Sequence, residues 1–119
     1  MAKKKGSTPS TPRKDDQLWE LKPVSAKAKS EWDAAKASEP DLMANVRERL
    51  CTRPLDRGDN PRRTHQLKGP LAFKWVEEKK LPQWQYEMTS GGRVWYCPDR
   101  STHIVWLVKA TLSHPHETD

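Results

Sequence analysis

The sequence predicts an α+β fold in which an N-terminal strand and a helical hairpin pack on a twisted antiparallel sheet of about four strands. Three observations predict it. Apolar residues recur every three or four positions between 28 and 50. The pattern then switches to strict alternation at Trp84-Gln85-Tyr86-Glu87-Met88, and a nearly continuous apolar run covers 104–112. Helical periods come first and strand periods after, which is the segregated order of an α+β domain and not the alternation of a parallel one.

The elements follow in order. Residues 1–16 are Lys, Ser, Thr and Pro with no apolar period, so their ordering would bury too little to offset the entropy lost, and a flexible basic tail is expected. Residues 17–119 form one domain. Leu18-Trp19-Glu20-Leu21 is a short strand stopped by Pro23. Ser25 caps a helix to about residue 37, with Ala28, Trp32 and Ala35 on one face. A second helix starts near Pro40-Asp41, where proline suits the first turn and aspartate the positive end of the dipole, and Leu42, Val46 and Leu50 repeat along it. Residues 52–69 carry Pro54, Gly58, Pro61 and several arginines without a period, and read as a loop. A strand over 71–76 and a charged turn over 77–80 follow. Trp84, Tyr86 and Met88 then share one strand face, Thr89 to Gly92 supplies a turn, and Arg93-Val94-Trp95-Tyr96-Cys97 returns as the partner strand. Pro98-Asp99-Arg100-Ser101 makes the next turn. The run at 104–112, apolar at nearly every position except Lys109, reads as a central strand covered on both faces. Helices on one face leave the other open as a binding surface.

Composition narrows the function. A chain of 119 residues has room for one core. Twenty-two Lys and Arg against 16 Asp and Glu give a formal charge of +6, which favours polyanions or an acidic partner. Cys51 and Cys97 stand in no Cys-x-x-Cys pair and beside no His at ligand spacing, so neither a disulfide framework nor a structural metal is expected, and no cofactor. No stretch of about 18 apolar residues occurs, so no membrane span is expected and the reading is a soluble, cytoplasmic protein.

Cutting RNA without a metal requires proton exchange at the 2′-hydroxyl and the leaving oxygen, and cations fixed at the phosphate. Arg93 opens a strand just after a glycine turn, where its planar fork suits two phosphate oxygens. His114 lies just beyond the last apolar strand and His116 two residues on, and imidazole is the side chain that exchanges protons near neutral pH. The segment Arg62-Arg63-Thr64-His65-Gln66-Leu67-Lys68-Gly69 concentrates positive charge that would adjoin Arg93 if the first strand of the meander pairs with the others. Trp95 shares a strand face with Arg93 and is placed to stack a base.

The ordered set Gln66-Leu67-Lys68-Gly69, Trp84-Gln85-Tyr86-Glu87-Met88, Gly92-Arg93-Val94-Trp95-Tyr96, an apolar strand from Ile104 and a C-terminal His114-Pro115 resembles the RelE/ParE toxin superfamily over roughly residues 18–118. The resemblance implies a helical hairpin against a twisted antiparallel sheet. It also implies, for the RelE type with its histidine-using HigB-like branches, a toxin of a type II toxin-antitoxin pair: a metal-independent endoribonuclease that enters the ribosome and cuts mRNA. Its partners would be a cognate antitoxin, acidic or of helix-turn-helix type, together with ribosome and mRNA. On this resemblance Arg93 and Lys68 are phosphate-binding catalytic residues and His114 the general acid or base. Arg62, Arg63, His65, Trp95 and His116 are RNA contacts. No tyrosine follows His114, so a tyrosine-type acid is absent. Three other readings fit parts of the pattern: a ParE-like gyrase poison on the same fold, a noncatalytic RNA-binding protein, and a WW-like module that grips proline-rich peptides through Trp84, Trp95, Tyr96 and Trp106.

Overall fold

The computed structural model describes residues 18–58 and 62–112. The expected basic tail, His114 and His116 lie outside the described residues. In chain order the elements are strand β1 (Glu20–Pro23), helices α1 (Ala26–Ser38) and α2 (Pro40–Thr52), and strands β2 (Thr64–Gln66), β3 (Phe73–Val76), β4 (Lys79–Pro82), β5 (Trp84–Glu87), β6 (Arg93–Asp99) and β7 (Ile104–Thr111).

The helical hairpin forms where the period places it. Ser25 is the N-cap of α1, its hydroxyl accepting from the Ala28 amide at 3.1 Å. Pro40 occupies the first turn of α2, where an amide would have no partner inside the helix. Ala28, Trp32 and Ala35 of α1 and Met43, Val46 and Leu50 of α2 are buried, with Leu42 packed at the margin. The first strand starts two residues later than the pattern predicts. The reason is that Trp19 is spent elsewhere: its amide donates to Cys51 O at the end of α2, and its buried indole stacks on His103 with ring centroids 4.1 Å apart.

The main sheet has five strands in the order β1-β7-β6-β5-β2. β1 runs parallel to β7, and every other pairing is antiparallel. The fifth strand, β2, lies in the segment read as loop, with Thr64 opposite Tyr86 and Gln66 opposite Trp84. Three residues are too few to show a period, so only its partner defines it. β3 and β4 form a separate two-stranded hairpin. The strand over 71–76 therefore does not join the meander, and the basic segment reaches the sheet through β2 instead. The turn between β3 and β4 is Glu77-Glu78, with φ of 50° and 65°, so Lys79 and Lys80 belong to β4 and not to the turn. β6 also continues through Pro98 and Asp99, and the chain turns at Arg100 to His103.

Strand alternation divides the side chains between two faces. Toward the helices point Met88, Val94, Tyr96, Val105, Leu107 and Ala110, closing the main core with Trp32, Met43, Val46 and Leu50. Each valine, leucine or methionine side chain removed from water here contributes about 1.5–3 kcal/mol. On the opposite face the hairpin lies against β6 and β7, where Val76, Leu81 and Cys97 form a second cluster with Val24, Trp106 and Val108. The first half of β7 is thus covered on both sides. The second face is consequently open over only part of its area. Among the described residues no helix is long and apolar enough to cross a membrane.

Candidate nucleic-acid interface

Register defines what the open part of the sheet presents. His65, Gln85, Trp95 and Lys109 form one row across β2, β5, β6 and β7, and Glu87, Arg93 and Thr111 form the next row on the same face. The contacts agree. Trp95 Nε1 donates to Gln85 Oε1 at 2.8 Å, and Lys109 Nζ stands 5.5 Å from the centre of the Trp95 ring. The alternate residues, Val94 and Tyr96, are fully buried on the helix side. Arg93, Trp95 and Lys109 are each half-buried.

The turn that delivers Arg93 is tight. Gly92 N donates to Thr89 Oγ1 at 2.9 Å, and a Cβ on Gly92 would lie 2.7 Å from that oxygen and 3.0 Å from Leu112 O. Only glycine lets the start of β6 come this close to the end of β7. Thr111, the last residue of β7, is the register partner of Arg93, and His114 stands three positions further along the sequence.

A second feature lies at the β2 edge: a groove of about 470 Å³ lined by Arg57, Arg62, His65, Gln66, Lys68 and Trp84. Its geometry is built by backbone contacts. Leu67 N donates to Gln83 O at 2.9 Å, Gln66 Nε2 donates to Ala72 O at 2.9 Å, and the chain turns after Lys68 at Gly69, whose φ of 62° favours a residue without a side chain. His65 Nδ1 lies 3.1 Å from Arg62 O. A carbonyl only accepts, so this contact holds the proton on Nδ1 and leaves Nε2 as the acceptor in the neutral ring.

Of the residues expected to contact RNA, Arg62 and His65 meet in this groove, together with Lys68, which was expected as a catalytic phosphate ligand. Arg63 does not. Its guanidinium donates to Glu87 O at 2.9 Å, reaches Met88 O at 3.4 Å and lies 5.8 Å from the Tyr86 ring, which Arg49 also approaches at 4.7 Å. Arg63 ties β2 to the end of β5. Lys68 and Arg93 stand toward opposite ends of β5: the row of Gln66 and the row of Arg93 are three residue steps apart, about 10 Å, and Lys68 lies beyond the first of them. They occupy different points along the sheet. Arg57, Gln85 and Lys109 were not singled out as site residues by sequence reasoning. Lys109 had a usable signal, as the one charge interrupting an apolar strand.

The strongly shifted groups sit away from this surface. Burial pushes the Cys97 thiol up to about 12, with Lys74 opposing. Burial would raise the Asp99 carboxyl, but hydrogen bonds from Lys79 Nζ at 2.9 Å and from the hydroxyl and amide of Ser101 at 2.8 and 3.0 Å hold it at about 2. Tyr96 is buried with its hydroxyl donating to Pro54 O at 2.7 Å, and Trp84 packs beside the helix-side core, so the aromatics of the WW-like pattern do not gather on one exposed face. Among the described residues no group of three or more His, Cys, Asp and Glu side chains converges to hold a metal.

No protein-family model matches the chain, and no curated protein matches it. The RelE/ParE resemblance is an expectation from the residue pattern alone. What the surface offers chemically is a cationic groove with an oriented imidazole, continuing across a row of hydrogen-bonded and cation-bearing side chains to Arg93.

Proposed function

We propose that the protein is a RelE-type, metal-independent endoribonuclease that inhibits translation by cutting mRNA on the ribosome, the toxin of a type II toxin-antitoxin pair. The observation that carries the reading is the sharing of one sheet face by Arg93, Trp95 and Lys109, at the place where β7 ends and the sequence proceeds to His114. Trp95 would stack a base, with Lys109 and Arg93 flanking it as phosphate partners. Arg93 would stabilise the charge that builds on phosphorus as the 2′-oxygen attacks, and His114 would exchange the proton. Lys68, with Arg62 and His65, would hold the strand farther along, as a positioning contact and not at the scissile phosphate. A cognate antitoxin, acidic or of helix-turn-helix type, would neutralise the cationic face.

The test is induction of the chain in cells, with mapping of the 5′ ends of translated messages. Wild type should arrest growth and generate new ends within reading frames, and Arg93→Ala and His114→Ala should each abolish both effects while the protein accumulates folded. Undiminished cleavage by the double variant would refute the assigned chemistry. Gyrase-dependent DNA breaks would select the ParE-like alternative. RNA binding by purified protein without cleavage, on ribosomes or off, would leave the noncatalytic reading, which the groove favours on its own because cationic grooves outnumber nucleases.

A further inference from the structure

The β3–β4 hairpin carries aromatic surface that neither core uses. Trp75 is 69% exposed and Phe73 49% exposed, with Leu71 just before them at 44%. Alternation explains the arrangement: Val76 points inward against Leu81 and Cys97 and Lys74 is half-buried, whereas Phe73 and Trp75 share the outer face about 7 Å apart along the strand. Lys80, the register partner of Trp75, places its ammonium 4.9 Å from the Phe73 ring. The inner face fixes the hairpin to β6 and β7, so the two rings stand on an anchored support.

We infer that this outer face is a stacking platform for unpaired bases of the same RNA strand that crosses the Arg93–Trp95 surface; the inference rests on the RNA reading above. Two features favour RNA over a protein partner. The aromatics share their face with a cation, Lys80, the combination that holds bases by their faces and phosphates by charge, whereas lysine is depleted from protein–protein interfaces. The hairpin also covers the Cys97 and Trp106 portion of the sheet face, directly adjoining the uncovered portion that presents Trp95. A strand leaving Trp95 meets the hairpin next. The carboxylates of Glu77 and Glu78 at the turn repel phosphate there, which directs the strand across the Phe73 and Lys80 end.

The experiment is fluorescence anisotropy of the full chain with a labelled single-stranded 12-nucleotide RNA whose 2′-hydroxyls are methylated to prevent cutting, about the length needed to span both surfaces at several nucleotides per site. Trp75→Leu and Phe73→Leu keep an apolar side chain and remove the ring, and each should weaken binding about 5- to 100-fold, with Trp75→Tyr close to wild type. A blunt RNA duplex, whose bases are already stacked, should bind all of these variants equally. Circular dichroism and melting temperature should match wild type, because neither ring belongs to a core. Unchanged single-strand affinity in both leucine variants, with Lys68→Ala still weakening it, would overturn the platform, leave the RNA reading standing and return the patch to a protein partner. No binding of single-stranded RNA by wild type would overturn both.

Discussion

Replacing Gly92 by alanine tests whether the turn before Arg93 sets the geometry of the open face. The added Cβ would meet Thr89 Oγ1 at 2.7 Å, Leu112 O at 3.0 Å and Thr111 O at 3.2 Å. The threonine can rotate away, but doing so breaks its hydrogen bond from Gly92 N, worth about 0.5–1.5 kcal/mol. The two carbonyls are backbone and cannot rotate, so the end of β7 must move away from the start of β6, an overpacking strain of about 1–3 kcal/mol. Against this, alanine restricts the unfolded chain and returns about 0.4–1 kcal/mol. The net expectation is a loss of about 1–3 kcal/mol, which at about 4 °C per kcal/mol for a domain of this size lowers the melting temperature by about 4–12 °C in a calorimetric scan. Adding Thr89→Ala should recover only part of the loss, because the carbonyl contacts persist. An unchanged or raised melting temperature for Gly92→Ala would refute the claim that close approach of β6 and β7 demands glycine here.

Tyr96→Phe leaves Pro54 O without its buried donor and should destabilise the protein by about 1–3 kcal/mol in urea unfolding with an unchanged m-value. Asp99 has a folded-state pKa of about 2, below its ordinary value near 4, so its contribution is present above pH 4 and is lost as pH falls from about 4 toward 2. Wild type should therefore lose stability across that window and Asp99→Asn should lose less, with Lys79→Met intermediate, as read by melting temperature against pH. In the groove, Lys68→Ala should weaken RNA binding about equally for all sequences and reduce the slope of log affinity against log salt by about 1, whereas Arg63→Ala should act mainly on stability, because its guanidinium holds Glu87 O and Met88 O.

Local signals made much of the fold legible. The serine cap and the three-and-four spacing of Ala28, Trp32 and Ala35 define α1 without reference to anything distant, and the alternation of Trp84, Tyr86 and Met88 gives the buried face of β5. The missed elements lack local signals. β2 is a strand only because Thr64 and Gln66 find Tyr86 and Trp84 across more than fifteen residues of chain. The hairpin turn uses two glutamates at positive φ, where glycine or asparagine would have announced it. Arg63 looks like its neighbours in sequence and differs only through the carbonyls it reaches.

The site was legible as faces but not as rows, and β7 shows why. In 104–112 apolar residues occupy both alternation phases, which reads as a strand covered on both sides. That reading is right for the first half, where Val105 and Leu107 face the helices while Trp106 and Val108 face the hairpin. Between Trp95 and Tyr96 of β6 the register slips by one: Trp95 pairs with Lys109, but Tyr96 pairs with Leu107. The extra residue, Val108, reverses the phase, so that Ala110 points to the helices and Lys109 and Thr111 to the open face. An unbroken register would place Leu107 opposite Cys97 and move it off the helix-side core, at the cost of burying that leucine elsewhere. The bulge thus lets one strand close the main core at both ends and still set a lysine beside Trp95. Periodicity alone averages over such a phase change, so the residue that completes the Trp95 row becomes visible only when the pairing partner is known.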